Sequence, residues 1–509
     1  MVAHGFCRTS FRKTGIAAFM LAVACAGARG DSPPTASPDR PTLGFVEVPD
    51  APATLPAPRS TGESPFVGQT ITLEESLRRA GFANPTIALA HEGVLAGEAL
   101  RMQARALLLP SLSVGANFRL HQGNLQSGRG LIIRNSLESL YVGAGAQASG
   151  GGTATVPGVR LLSHLGDALL EPRLAELRLM ALQSDARAIS RSVLAEVMTR
   201  YLVLTATQAR IAALDQTLQE MNDIARITAN FAEEGQGRVG DAERARSELL
   251  LAQAEKDRLQ GDLLAAAADL ARLLDLDPSS PLRPTDLVPP LLEWIDPAMP
   301  LEAMMPVAEQ QRPELSARSA EIAFGQTRVR QERLRPWLPT LSVGYSAGAF
   351  GGGSASGDIG FSRLSGREDF DAYAVWTFRN LGLGNRAEVN RARAQTRMAE
   401  ADYARTLQII RRQTAEAHSL VRLRKVEMTN ARLRLEHASQ AYEQDFQRTR
   451  NLQGRPIETL NSVNLLRSAR QDLVFAMAGY SEAQVQLLFA LGRDTDGLHG
   501  TAPLIPCNK

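Results

Sequence analysis

Leu109-Pro110-Ser111-Leu112-Ser113-Val114-Gly115 and Leu338-Pro339-Thr340-Leu341-Ser342-Val343-Gly344 are two versions of one phrase, about 230 residues apart. Each ends a helical pattern, opened by Asn84-Pro85 in the first case and by Arg312-Pro313-Glu314-Leu315 in the second. Each then starts an alternating strand. Outward from them the same order recurs: helix, Leu-Pro break, strand, Gly-rich loop, strand, long helix, Gly tip, helix. A spacing this long predicts a duplicated half-protein rather than a solenoid repeat of a few dozen residues.

The strands decide what the halves could build. Leu112, Val114, Ala116, Phe118 and Leu120 share one face, and the opposite face is small or polar. Tyr141–Ala148 reads as a second extended stretch. In the second half Leu341–Phe350 alternates, and Asp371–Phe378 sets Tyr373, Val375 and Thr377 against Ala372, Ala374, Trp376 and Phe378. Four strands cannot close a barrel, and two lone hairpins are marginal in water. Three copies would pool twelve, an even number of the kind outer-membrane barrels use. The alternative is a soluble sheet packed on the helices.

The helices are long. Thr72, with Glu75 three residues on, has the form of a capped helix start. A helix follows over Pro85–Leu108. From Pro172 to Glu234, Ile211, Leu214, Leu218, Met221, Ile224, Ile227 and Phe231 recur at steps of three and four. Some sixty residues at 1.5 Å each make a rod of about 90 Å, which needs partners along its length. Gly235-Gln236-Gly237 breaks the pattern, and a helix returns through Leu249 to Leu274. The second half repeats this over Ala387–Phe446, Gly454-Arg455-Pro456 and Ile457–Leu491. The short helix before the first strand is expected to stack end to end on the returning helix, giving paired rods of equal length.

The ends and the middle have their own compositions. Arg8, Arg12 and Lys13 precede an apolar run over Ile16–Ala26, the layout of an export signal. Ala26-Gly27-Ala28 is one processing site; Leu21-Ala22-Val23-Ala24-Cys25 resembles a lipoprotein box that would leave Cys25 acylated. The expected organisation is a signal peptide over 1–28, a Pro-rich linker over 29–67, a first repeat over 68–276, a connecting segment over 277–310, a second repeat over 311–492 and a tail over 493–509. In the connecting segment Leu287, Leu291, Leu292 and Trp294 are expected to be buried. The three cysteines (Cys7, Cys25 and Cys507) are too few for a disulfide framework.

Other function classes find little support. With 56 basic against 54 acidic side chains, and Arg alternating with Glu and Asp, no basic face for nucleic acid stands out. Gly382-Leu383-Gly384-Asn385-Arg386-Ala387 mimics a dinucleotide fingerprint, but no βαβ unit follows. The seven histidines, His418 and His437 among them, lack metal-ligand spacing. Gly150–Gly152 and Gly351–Gly353 read as loop glycines. No nucleophile elbow or acid–base pair occurs, so no enzyme, cofactor or metal is expected.

Together these residues resemble the TolC-like outer-membrane efflux channel family. The landmarks are Asn84-Pro85, Arg312-Pro313-Glu314-Leu315, the two Leu-Pro phrases, Val156-Pro157-Gly158 with Asp167-Ala168, Asn380–Asn385, and the helix endings Leu273–Leu276 and Ala490–Gly492. The likeness runs from about Leu73 to Gly492. It implies a mostly α chain with a β-barrel contribution: a long α-helical coiled-coil barrel, plus four strands per chain of a homotrimeric twelve-stranded barrel in the outer membrane. It also implies a passive conduit serving a tripartite efflux or type I secretion system, with a periplasmic adaptor, an inner-membrane transporter and outer-membrane lipid as partners.

The resemblance makes the two Gly turns periplasmic tips, with Gly235, Arg238, Asp241, Gly454, Arg455 and Glu458 as aperture candidates. Family members often carry Asp six residues after the tip Gly; Asp241 fits, whereas Leu460 holds that place in the second half. Asp241 reads more readily as a helix N-cap, since it begins a helix whose first turn carries Glu243. A periplasmic coiled-coil adaptor without a pore is the alternative function.

Overall fold

The computed structural model describes residues 69–144, 158–279, 281–354, 362–451 and 453–493, all within one compact unit, Pro65–Lys509. Cys25, both processing sites and the Pro-rich linker lie outside the described residues. The chain is mostly helical. Its helices are α1 (Leu73–Ala83), α2 (Pro85–Arg105), α3 (Leu165–Glu233), α4 (Val239–Leu273), α5 (Leu301–Gln311), α6 (Pro313–Leu334), α7 (Leu383–Arg450) and α8 (Pro456–Ala490). Its strands are β1 (Gln69–Ile71), β2 (Ser111–Leu112), β3 (Val114–Gln126), β4 (Ile132–Ala144), β5 (Val159–His164), β6 (Leu282–Pro284), β7 (Thr340–Ser354) and β8 (Ser362–Val375).

Two rods organise the helical part, α3 with 69 residues and α7 with 68. The returning helices α4 and α8 have 35 each, while α2 and α6 have 21 and 22. Near the sheet the neighbours run α2–α3–α6–α7; toward the tips they run α4–α3–α8–α7. The short helices therefore stack end to end beside the rods, as the lengths predict.

Side chains stitch both joints. Buried Asn84 accepts from Thr86 N at 2.9 Å to cap α2, and donates through Nδ2 to the Leu273 carbonyl at the end of α4, at 2.8 Å. Arg312 donates to the Phe489 carbonyl of α8 at 2.8 Å and to Gln413 at 2.7 Å. Asn84→Ala should cost about 2 kcal/mol, from a lost cap and an orphaned buried carbonyl. Thr72→Ala removes only an exposed cap, so its thermal midpoint should stay clearly higher. Equal midpoints would remove the joint from the account.

A belt crosses the rods at mid-height. β1 and β6 pair in parallel, and α1 and α5 lie on the helices. Trp294, Ile295 and Met304 share a core with Met198, Leu202, Leu315, Val421 and Tyr480. Gln484 of α8 grips the Ile295 backbone from both sides, accepting from its N–H at 3.0 Å and donating to its carbonyl at 2.9 Å. Ser481 does the same across Leu292 N and the Pro290 carbonyl. Because the backbone is held, Leu287 need not be: it is 79% exposed, and Leu291 is also exposed, against expectation.

The first rod starts before Pro172. His164 Nδ1 accepts from Gly166 N at 3.0 Å as the cap, and Asp167 in the first turn pairs with Arg335 at 2.6 Å. Pro172 then sits inside the helix, where only one backbone bond is lost. The strands also run longer than expected. β4 begins at Ile132, β5 is an added strand, and Asp371–Phe378 is a strand only to Val375. Gly351–Gly353 belong to β7 rather than a loop, while Gly150–Gly152 lie outside the described residues.

Candidate functional site: an amphipathic sheet and the helix tips

β7 is the centre of the sheet. β8 pairs along one side of it; on the other side β5 and then β4 follow one another, with β2 and β3 beyond them. Register places Phe118, Leu140 and Gly351 on one line, Ala116, Val142 and Ala349 on the next, and Leu112, Val159, Tyr345 and Phe370 on another. The face they share therefore carries Leu112, Val114, Phe118, Leu120, Val142, Val343, Tyr345 and Phe370, all exposed. On the reverse face the same strands carry Asn117, Arg119, Arg160, Ser342, Ser346, Arg367, Asp369 and Asp371. A water-soluble sheet puts its apolar face against a core; this one leaves it open. On this face the apolar residues of β3 stop at Leu120, and the face continues as Gln122, Asn124 and Gln126 toward the hairpin end.

Close backbone contact shapes the middle of the sheet. A Cβ at Gly348 would lie 2.6 Å from the Val142 carbonyl oxygen and 2.9 Å from Tyr141 Oη, so the buried Tyr141 ring requires glycine there. The outer edges of β3 and β8, 13 and 14 residues long, carry no strand partner among the described residues. An edge of that length is a template for further pairing.

The two tips match once aligned on their hydrogen bonds. Gly237 N donates to the Phe231 carbonyl at 2.7 Å, and Gly454 N to the Arg448 carbonyl at 3.1 Å, each six residues back. The next residue is extended in both: Arg238 (φ −87°, ψ 133°) and Arg455 (φ −91°, ψ 136°), the N-caps of α4 and α8. Three residues on, Asp241 N bonds to the Arg238 carbonyl and Glu458 N to the Arg455 carbonyl, both at 3.0 Å. Gly454 thus corresponds to Gly237, and Glu458 is the counterpart of Asp241. Leu460 is 3% exposed in a core with Leu214 and Met221. Asp241 is not the N-cap either; it lies in the first turn beside Arg244 at 3.6 Å, where its negative charge is favoured by the positive end of the helix dipole. Gly235 makes the turn itself, with φ 76°.

Toward the tips the returning helices are tied together by polar contacts. Arg467 of α8 pairs with Glu255 of α4; Gln471 donates to Glu255 at 2.8 Å and Asn464 to Glu248 at 3.4 Å. Arg470 grips Glu220 of α3 with both nitrogens, at 2.7 and 2.8 Å, and Thr217 at 3.0 Å. The second tip is pinned further by the buried Thr449–Thr459 hydroxyl pair at 2.7 Å and by Ser462 on Asp445.

The helical wall has two sides. Tyr201, Lys425, Ser481 and Gln484 reach the belt. Residues two positions away on a helix point about 200° apart, so Val203, Glu427, Gly479 and Glu482 face the other side. There a groove of about 630 Å³ is lined by Arg210, Arg424, Arg434, Asp472, Phe475 and Glu482. The Arg210 guanidinium lies 4.2 Å over the Phe475 ring. Burial lowers the pKa of Arg210, against the raising effect of Glu255. His418 is a packing residue bonded to the Met299 carbonyl at 3.0 Å, and His437 is exposed. Among the described residues no acidic, His or Cys cluster could hold a metal ion, and no helix is long and apolar enough to cross a membrane.

No family model matches the chain, and no curated protein does. Solved structures do. The outer-membrane channel OprN is 19% identical, with 83% of this chain and 90% of that one covered, at a TM-score of 0.67. The CmeC outer-membrane channel of Campylobacter jejuni is 16% identical over 82% and 85%, at 0.66. The MtrE channel of Neisseria gonorrhoeae, solved in its open state, is 17% identical over 83% and 89%, at 0.62. At these TM-scores and over more than four-fifths of its length, the fold of the chain is that of the TolC-like outer-membrane factor channels.

Proposed function

We propose that the chain is the outer-membrane channel of a tripartite efflux or type I secretion system, working as a passive conduit from periplasm to exterior. The exposed apolar face of the sheet supports this reading most directly. It suits lipid, and the polar reverse face suits a water-filled lumen. Three copies joining β8 of one to β3 of the next would close twelve strands and leave no free edge. The two halves, alike in element order and in their joints and tips, then form one duplicated subunit of a homotrimer. The belt side of the helices faces the periplasm, and the groove side lines the tunnel.

Energy comes from an inner-membrane transporter, reached through a periplasmic adaptor that meets the helix tips. Asp241 and Glu458 would supply two carboxylates per subunit to a ring around the aperture. Opening requires the returning helices α4 and α8 to part, which breaks the Arg467–Glu255 and Asn464–Glu248 contacts as one packing gives way to another. The decisive experiment is reconstitution of detergent-extracted protein in planar bilayers, with its subunit count. A trimer that conducts ions is expected; a strictly monomeric, non-conducting protein overturns the proposal. In the same recordings, Asp241→Asn with Glu458→Gln should lower the cation-to-anion permeability ratio roughly threefold while conductance persists. An unchanged ratio would confine both carboxylates to stabilising their helix starts.

A further inference from the structure

Where the sheet meets the rods, the belt side of the wall carries an unusual pairing of aromatic and basic groups. Past the end of β8, Trp376 and Phe378 follow Ala372 and Ala374 of the apolar face. Trp376 donates to the Trp337 carbonyl at 3.3 Å, and the Trp337 and Phe378 rings meet edge to face with centroids 6.2 Å apart. All three rings are exposed, and so are Leu381 and Leu383 at the corner below. Leu381 is held there in a left-handed conformation (φ 56°), so the corner presents rather than buries this side chain.

Directly beneath lies a cleft of about 310 Å³ lined by Arg333, Trp337, Phe378, Asn385 and Arg386. Next to it, Arg393 and Arg397 line a second cleft, of about 290 Å³, between α6 and α7. These arginines point to the belt side. Arg411 of α7 pairs with Glu309 of the belt at 2.7 Å, and Arg393 lies eighteen residues earlier, about five full turns. On α6, Leu315 packs in the belt core, and Arg333 stands the same five turns beyond it. Arg333, Arg386 and Arg397 are exposed and make no ion pair or hydrogen bond among the described residues. Glu332 also lines the cleft, but it is buried and its charge is taken up by Arg328 and Arg335 at 3.3 and 3.1 Å. On the same helices Arg318, Arg391, Arg405 and Arg412 each have a carboxylate partner one turn away.

We infer that this cleft binds the phosphate of an anionic phospholipid headgroup. The site rests on the reading of the sheet as membrane-embedded. Rings at the end of an apolar band suit the boundary between acyl chains and water. Unpaired guanidinium groups just below them suit a phosphate that arrives with its tails in the apolar layer, since arginine binds phosphate through two parallel N–H groups. Arg393 and Arg397 lie too far along the rods to touch the same headgroup; they extend the positive field and raise local anion concentration.

The test uses the full-length protein in nanodiscs made from equal parts of phosphatidylglycerol and phosphatidylcholine, followed by mass spectrometry of the lipid that stays with the protein after detergent exchange. Enrichment of phosphatidylglycerol of about tenfold is expected, weakening with salt. Arg333→Gln with Arg386→Gln should bring it near parity, while Arg333→Lys with Arg386→Lys should retain most of it. Both pairs are exposed, so folding is unaffected. Equal retention of the two lipids, or enrichment unchanged in the Gln pair, overturns the site. Displacement by inorganic phosphate alone would make it a free-anion site and overturns the lipid assignment. Failure to enter nanodiscs at all refutes the membrane reading beneath it; normal entry without lipid preference refutes the headgroup site alone.

Discussion

Replacing Val142 with arginine should abolish accumulation of the protein in the outer membrane. Val142 lies on the second strand from the β3 edge, on the apolar face, between Ala116 and Ala349. It is exposed. In water a charged residue at an exposed strand position changes stability by a few tenths of a kcal/mol. In the middle of a bilayer an arginine on the lipid face of a barrel costs about 2–4 kcal/mol, and a trimer would carry three of them. Ser365→Arg is the control: it lies on the reverse face, beside Arg367, and should assemble normally. Membrane fractionation after expression reads the difference. Normal assembly of the Val142 variant would mean the apolar face meets something other than lipid.

Arg470→Ala should loosen the tips. Its guanidinium holds Glu220 by two bonds and Thr217 by a third, with only 15% and 18% of the two charged side chains exposed. Removing one partner of a pair that well covered strands the other, at about 3 kcal/mol. The same helix carries the Arg467 contact to Glu255, so α8 would lose its main polar hold on α3 while keeping its thinner hold on α4. Single-channel recordings should show longer or larger openings, and cells should admit more of a large antibiotic that the intact outer membrane excludes. Arg434→Ala is the comparison. The side chains of Arg434 and Asp472 are about half exposed, and such surface pairs contribute about 0–1 kcal/mol. If the two variants leak equally, the Arg470 cluster has no part in closure.

Much of this architecture can be read from residues whose signals are local. The Leu-Pro phrases mark helix ends because Pro110 and Pro339 cannot continue a helix, and the long seam of α3 is periodic over many turns. The lengths of α2 and α4 foretell their stacking. What stays hidden depends on partners distant in sequence. The start of α3 is fixed by His164 as a cap and by Arg335, 168 residues away. Leu287 looks like a core residue until Gln484 and Ser481 are seen to hold the neighbouring backbone instead. Gly351–Gly353 resemble a loop because glycine weakens any strand pattern; pairing of Gly351 and Gly352 with Leu140 and Ser139 makes them β7.

The tips show the same limit. Counting from Gly235 and Gly454 puts Asp241 opposite Leu460, whereas the hydrogen bonds of Gly237 and Gly454 put it opposite Glu458. The arginine-lined clefts between α6 and α7 were beyond sequence reading altogether. Arg333 and Arg386 lie 53 positions apart, and only the packing of two helices makes them neighbours.

The end-to-end joints make the wall a jointed mast rather than a single tube. At belt height, the α2–α4 column and the α6–α8 column each change from one helix to another. Hydrogen bonds from Asn84 or Arg312 to a terminal carbonyl bridge each break, together with apolar cores that hold Ile87 with Leu270 and Leu273 in one column and Leu315 with Tyr480 and Leu488 in the other. Because no helix backbone crosses either break, a tilt of a lower segment would hinge there, beside the unbroken α3 and α7. On the proposed reading, a disturbance that begins at the far end would be taken up at the belt before it reached the sheet.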